Sequence, residues 1–225
     1  MAATVTIWSD LHCPWATTVV SRLRKARDQR GLDVVLDQRP WPLELINRQG
    51  TPREVVEPEM CVLANHEPEI FSRFDGESWP STFLPAFELV AAARRVGGPE
   101  AAEAADWAVR LRFFRESADV SVRHELEQAA RDAGLDADAV MRVWETEPVR
   151  ADVLADYRRS KDLHIKGSPQ VFWADGSASH LPGLKMEIVR GIPRVLFDDP
   201  EEPGRLLEAS LRDRKQHGKE RVSTP

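Results

Sequence analysis

An α/β fold that opens with strand, helix and strand, is interrupted by an all-helical stretch, and closes with strand, strand and helix is predicted by three observations. Apolar β-branched runs stand near the N-terminus, in "TVTIW" from Thr4 and "LDVVLDQ" from Leu32. A long stretch of helical periodicity follows, about a hundred residues in all. Strand chemistry then returns in "SPQVFWADGSASH".

Thr4 to Trp8 reads as a short buried strand, and the run from Leu32 as a second. Between them Ala16, Val20 and Leu23 recur at i, i+4 and i+7, with Arg and Lys opposite and Gly31 as a stop signal. The unit is therefore a crossover helix joining parallel strands. After "RPWPLELINRQGTP" the texture turns helical. Phe83 to Arg95 ends at Gly97-Gly98, and Pro99 opens a helix with Trp107, Leu111 and Phe114 on one face. A stripe of Val122, Leu126, Ala129, Ala130 and Ala133 stops at Gly134; Asp136 then caps a helix from Ala137 to Glu145, and Val149 to Leu163 completes the block. Gln170 to Ala174, the Asp175-Gly176 turn and Ser177 to His180 form a hairpin. "LPGLK" and "GIPRVLF" read as connection and packing, Gly204 to Lys215 as a helix, and the closing "HGKERVSTP" as frayed. The expected organisation is a sheet-bearing domain over residues 1–55 and 150–225, interrupted by a helical insertion domain over 56–149.

With 225 residues, 42% of them hydrophobic, the chain can bury a substantial core. Its net charge of -6 comes from 31 basic and 37 acidic residues in mixed sign, without the basic stripe that tracks phosphates, so no nucleic-acid partner is expected. "MAATVTIWSD" meets an acid before an apolar run of signal-peptide length, and no uncharged stretch approaches the roughly 18–20 residues that span a bilayer. A soluble cytoplasmic protein with no membrane partner is the expectation. In that compartment the two cysteines, Cys13 and Cys61, are expected to stay reduced. Neither metal-ligand spacing nor a glycine-rich phosphate loop occurs, so no metal site is expected.

Cys13 falls where the first strand gives way to the first helix. A helix N-terminus presents unpaired N–H groups and a positive dipole end, which favour an anion over a neutral thiol. Such placement lowers a cysteine pKa from about 8.5 toward about 3.5–7. The competing reading is a small buried hydrophobe. His12 reads either as a cation that favours the thiolate or as a hydrogen-bonding histidine at a helix start. Trp15 reads as an exposed aromatic lip or as a packing residue. Cys61, in "EPEMCVLAN", has an apolar flank that favours a buried structural cysteine over a remote resolving thiol. Trp41 in "RPWPL" follows the second strand and is a candidate border of the cleft, although core is the better reading for the tryptophans generally.

"HCPWA" after a first strand, the helical block, and "IKGSPQVFW" before a hairpin together resemble the DsbA-like branch of the thioredoxin superfamily, in particular its cytoplasmic FrnE-type members. The resemblance spans roughly residues 4 to 212 and implies a thioredoxin fold (βαβ…ββα) with a helical insertion. It matches Cys13 to the nucleophilic cysteine of a Cys-Pro-Trp-Cys motif, Ala16 to the missing resolving cysteine, and Pro169 to a cis proline. It matches Ser168 to the residue whose backbone pairs with an extended thiol peptide. Without the family, an X-Pro bond is expected to be trans, since only about 5–6% are cis in folded proteins.

Ala16 is the departure. Thiol–disulfide exchange passes through a mixed disulfide that a second cysteine normally resolves, so here an outside thiol must release it. The site read from the resemblance is Cys13 as the catalytic thiol, with His12, Pro14, Trp15, Ser168 and Pro169 around the substrate. The neighbouring glutathione transferase kappa and 2-hydroxychromene-2-carboxylate isomerase groups, which work with a bound thiol and no dithiol pair, resemble the chain as well. The expected partner is a small thiol or disulfide substrate; no cofactor is expected to be tightly bound, glutathione or another low-molecular-weight thiol being the candidate. Three readings stay open: a monothiol oxidoreductase, a kappa-like transferase or isomerase, and a thioredoxin-fold binding or scaffold protein that has lost its chemistry. The oligomeric state is unspecified and a homodimer is left open.

Overall fold

A computed structural model describes residues 2–220, with side chains described up to 214. β1 (Ala3–Ser9) and β2 (Val34–Pro40) pair in parallel, from Ala3 opposite Val34 to Ser9 opposite Pro40. Between them runs α1 (Pro14–Arg30), which ends at Gly31. That glycine takes φ 58° and returns its N–H to the carbonyls of Arg27 and Asp28, a left-handed cap that a Cβ would disfavour. β3 (Gln170–Phe172) lies antiparallel to β1, and β4 (Ala178–His180) antiparallel to β3, giving the sheet order β2-β1-β3-β4. β1 is central, which is why Val5 and Ile7 are fully buried.

The helical stretch comprises α2 (Leu43–Asn47), α3 (Arg53–Leu63), α4 (Leu84–Phe114), α5 (Arg123–Asp132), α6 (Ala137–Thr146) and α7 (Val149–Ser160). α4 is two arms: Gly97 and Gly98 leave helical geometry, with φ 75° at Gly98, and Pro99 starts the second arm. The break expected from Gly97-Gly98-Pro99 is therefore present. The buried face of the second arm differs from the expected stripe. It carries Ala102, Ala105, Asp106, Val109, Arg110 and Phe113; of the expected three, Phe114 is fully buried while Trp107 and Leu111 are only half-buried. The apolar count alone pointed partly around the helix because three buried positions, Glu103, Asp106 and Arg110, are charged. Asp136 caps α6 as expected, its carboxylate accepting from the Ala139 N–H at 3.0 Å.

The expectation that "LPGLK" and "GIPRVLF" are mere connection is corrected. Leu181–Gly183 do connect, but Leu184 and Lys185 open β5 (Leu184–Val189) and "IPRVLF" runs along β6 (Ile192–Asp198), a separate antiparallel hairpin. Arg190 and Gly191 both take positive φ, 52° and 79°, the mirror-image turn whose twist suits a tight hairpin. Arg-Gly replaces the usual Asn-Gly, and a register shift between Lys185 and Met186 spoils the alternation, so the signal was masked. α8 (Glu202–Glu220) closes the described fold and is longer than expected: the "HGKE" read as frayed continues the helix, and "RVSTP" lies outside the described residues. Among the described residues no helix is long and apolar enough to cross a membrane.

Candidate functional site

The chain turns from β1 into α1 through Asp10, Leu11 and His12, leaving Cys13 as the N-cap, in an extended conformation, with Pro14 at the first helical position. The Ser168-Pro169 peptide bond is cis. It lies against this turn: the Cys13 thiol donates to the Ser168 carbonyl at 3.5 Å, and the Asp10 N–H donates to Ser168 Oγ at 2.9 Å. Gly167 is needed beside them, because a Cβ there would lie 2.6 Å from the His180 ring. His180 Nδ1 in turn sits 2.9 Å from the Pro169 carbonyl oxygen. Cys13, Ser168 and Pro169 are thus brought together.

The remaining residues of the motif are enclosed. Cys13 itself exposes only 7% of its surface, Trp15 4% and Ala16 none. Trp15 is therefore a packing residue rather than an exposed lip. Cys61 shows the opposite departure, since the expected buried cysteine is exposed on α3. Its flanks supply the inward positions instead, Met60 and Leu63 being buried while Cys61 points away.

Burial also overturns the expected electrostatics. The Cys13 thiol is pushed up to about 12, chiefly by desolvation and then by the carboxylate of Glu59, with Asp10 adding in the same direction. The Ala16 N–H at the helix start and the hydrogen bond to Ser168 pull it down but are outweighed. His12 does not supply a compensating cation. It is stacked on Phe83 at 4.1 Å between ring centroids and edged by Phe113 and Trp79, and burial lowers its pKa to about 3, leaving it neutral. The resting site holds a neutral thiol beside a neutral imidazole.

Three groups that the sequence reading passed over shape this site. Asp10 accepts from the backbone N–H groups of His12 and Leu43, fastening the turn to α2, and burial raises it to about 6. Glu59, on α3, is raised to about 7 by burial. The Trp15 indole pulls Glu59 the other way, although its N–H closes no hydrogen bond of ordinary geometry. Arg110, fully buried, reaches from α4 with all five of its N–H donors used. Two go to Asp106, at 2.7 and 3.2 Å, and one each to Ser9 Oγ, the Asp10 carbonyl and Thr17 Oγ1. Thr17 Oγ1 passes the link on by donating to the Cys13 carbonyl at 3.1 Å. An Asp and an Arg four residues apart on a helix face of small and apolar residues that also carries Glu103 was the available signal.

A direct consequence is the pH dependence of thiol modification. A group with a raised pKa keeps its proton to higher pH, so alkylation of Cys13 by iodoacetamide in a Cys61→Ser background should climb about tenfold per pH unit from pH 7 past pH 9 without levelling. Glu59→Gln removes the carboxylate that holds the proton on, and should raise the rate at pH 9. Intact-mass time courses give both rates; a plateau below pH 9 would contradict the burial that the geometry shows.

A four-stranded sheet whose first strand delivers a thiol to a helix start opposite a cis proline, with helices inserted between β2 and β3, defines the thioredoxin fold class. The DSBA-like thioredoxin domain family matches residues 4–189, and the chain belongs to that family. No curated protein matches the chain. Among solved structures, a candidate protein disulfide isomerase from Nitrosomonas europaea superposes with a TM-score of 0.68 at 16% identity, covering 97% of this chain and 100% of that one. The cytosolic disulfide reductase DsbM from Pseudomonas aeruginosa gives 0.63 at 21% identity, covering 93% and 98%, and has also been solved with GSH. A 2-hydroxychromene-2-carboxylate isomerase gives 0.59 at 12% identity, covering 98% and 100%. At these identities the likeness is one of fold.

Proposed function

We propose that the protein is a one-cysteine thiol enzyme of the DsbA-like family, in which Cys13 exchanges with a small disulfide such as oxidised glutathione and an outside thiol completes the cycle. The observation that carries this reading is the placement of the Cys13 thiol on the Ser168 carbonyl of the cis peptide, 3.5 Å away, with Ala16 where a resolving cysteine would stand. In the first step the thiol loses its proton to solvent, and the thiolate attacks one sulfur of the disulfide. The Cys13–S bond forms as the S–S bond breaks, and the other half leaves as a thiolate. A second thiolate then attacks the half bound to Cys13, taking it away as a new disulfide and returning Cys13. Burial, and after it Glu59 and Asp10, hold the first proton on, so the resting site is guarded rather than primed. Glutathione is the candidate thiol because the DsbM reductase of similar fold has been solved with it.

One observation favours a second reading. A thiol that keeps its proton at neutral pH can donate a hydrogen bond to the sulfur of a bound thiolate, as a kappa-like transferase or isomerase requires. Incubating Cys61→Ser protein with oxidised glutathione and weighing it intact decides between them. Exchange is expected to add one glutathionyl group at Cys13, removed by reduced thiol. No adduct, with saturable binding of reduced glutathione, would replace exchange by the second reading; no adduct and no binding would leave a scaffold role.

A further inference from the structure

The β5–β6 hairpin stands apart from the four-stranded sheet. Its root is fixed: Asp198, at the end of β6, lies 2.6 Å from both Arg22 Nη1 and His66 Nδ1, and β6 is the strand that rests on α3. β5 pairs with β6 alone, so its outer edge carries no strand. Of the eight large hydrophobic residues exposed among the described residues, four lie on this hairpin: Ile188, Ile192, Leu196 and Phe197. Such a concentration beside an unpaired strand edge marks a contact surface.

The two-residue turn at Arg190-Gly191 makes Val189 and Ile192 the closing hydrogen-bonded pair, and the pairs alternate from there. Ile188 opposite Pro193 is then a pair without ladder hydrogen bonds, which suits a proline with no N–H to give. Met186 opposite Val195 is of the same kind. The N–H and C=O groups of Met186 and Ile188 therefore point away from β6, and among the described residues they meet no other backbone group. Opposite charges flank Met186. Lys185 is exposed, with its Nζ 5.7 Å from the Phe197 ring, and Glu187 has only a loose surface contact to Arg194 at 3.9 Å. Neither contact commits its charge strongly.

We propose that β5 recognises β5 of a second copy of this chain, pairing antiparallel about a two-fold axis at Met186 and joining the two hairpins into one four-stranded sheet. In that register Met186 bonds to Met186 of the second copy, and Lys185 stands opposite Glu187 of the second copy twice over, in the closely spaced positions where side chains meet. An axis at Lys185 or at Glu187 would set like charges against each other, so the charges of the strand select one register. Ile188, exposed in one copy, comes opposite Leu184 at the root of the other hairpin. The interface is separate from the thiol and stands whether or not Cys13 is catalytic.

Sedimentation velocity of the full chain measures the association, under reducing conditions that keep the exposed Cys61 from linking copies. A six-residue edge is short beside a standard interface of about 1,600 Å², so a dimer with a dissociation constant of about 1–100 µM is expected. Lys185→Glu or Glu187→Lys alone places like charges opposite each other twice and should weaken the dimer by about tenfold or more. An equimolar mixture of the two variants restores opposite charges at both places and should associate about as tightly as wild type. A wild-type chain still monomeric at about 1 mM would leave the edge to a strand of some other protein and overturn the proposal. A dimer that either variant leaves undiminished, or a mixture no tighter than its components, would overturn it equally.

Discussion

Arg110→Met is expected to destabilise the fold by about 3–5 kcal/mol, the range for removing one partner of a buried ion pair. The side chain is fully buried and satisfies five acceptor contacts across three elements. Its loss leaves Asp106, only 5% exposed, without the guanidinium that neutralises it. Ser9 Oγ, Thr17 Oγ1 and the Asp10 carbonyl lose donors in the same step. The double variant Arg110→Met, Asp106→Leu should recover much of the loss, because removing both charges together avoids the orphaned carboxylate. Urea unfolding followed by circular dichroism, with the slope held in common, measures the difference; a single-variant cost under about 1 kcal/mol would mean the pair is no anchor.

Ala16→Cys is expected to change the chemistry more than any other single substitution. Position 16 lies three residues into α1 from the N-cap Cys13, and its N–H already bears on the Cys13 sulfur. A thiol at this position can attack a mixed disulfide on Cys13 from within, so oxidised glutathione should leave the variant two hydrogens lighter instead of one glutathionyl group heavier. Ala16 has no exposed surface, and the added sulfur should cost about 1–3 kcal/mol through overpacking. Intact mass after oxidation checks the outcome. With Cys61→Ser in the same chain to remove the exposed thiol, a persistent adduct at Cys13 of a folded variant would show that the two sulfurs do not meet.

The strand–helix–strand opening was legible because β1 and β2 are buried by runs of β-branched residues and α1 has one apolar stripe ended by glycine. The Gly97-Gly98-Pro99 break was legible for a similar reason, since backbone freedom and a missing donor act locally. Cys13, Ser168 and Pro169 could be placed together only through the family motif, because nothing local in "KGSPQ" specifies a contact with a residue far back in the chain. The electrostatics were not legible at all. A helix N-terminus argues for a thiolate, but desolvation and then Glu59, on α3, decide the matter, and neither the enclosure of Cys13 nor the approach of a carboxylate so far along the chain is written in the local sequence. Likewise His12 was read by its residue type, whereas its surroundings of Phe83, Phe113 and Trp79 keep it uncharged. The β5–β6 hairpin escaped because its turn uses Arg-Gly and its alternation slips at Lys185.

The contrast between an enclosed Cys13 and an exposed Cys61 gives the native chain an internal clock. A thiol reagent meets Cys61 at the surface at once, and that first event reports only the reagent. The second event, at Cys13, must wait until its enclosed thiol is both uncovered and ionised, so at a fixed pH the lag between the two follows the opening of the molecule. Unlabelled wild-type protein thereby records its own breathing, with one sulfur as the reference hand and the other as the moving one.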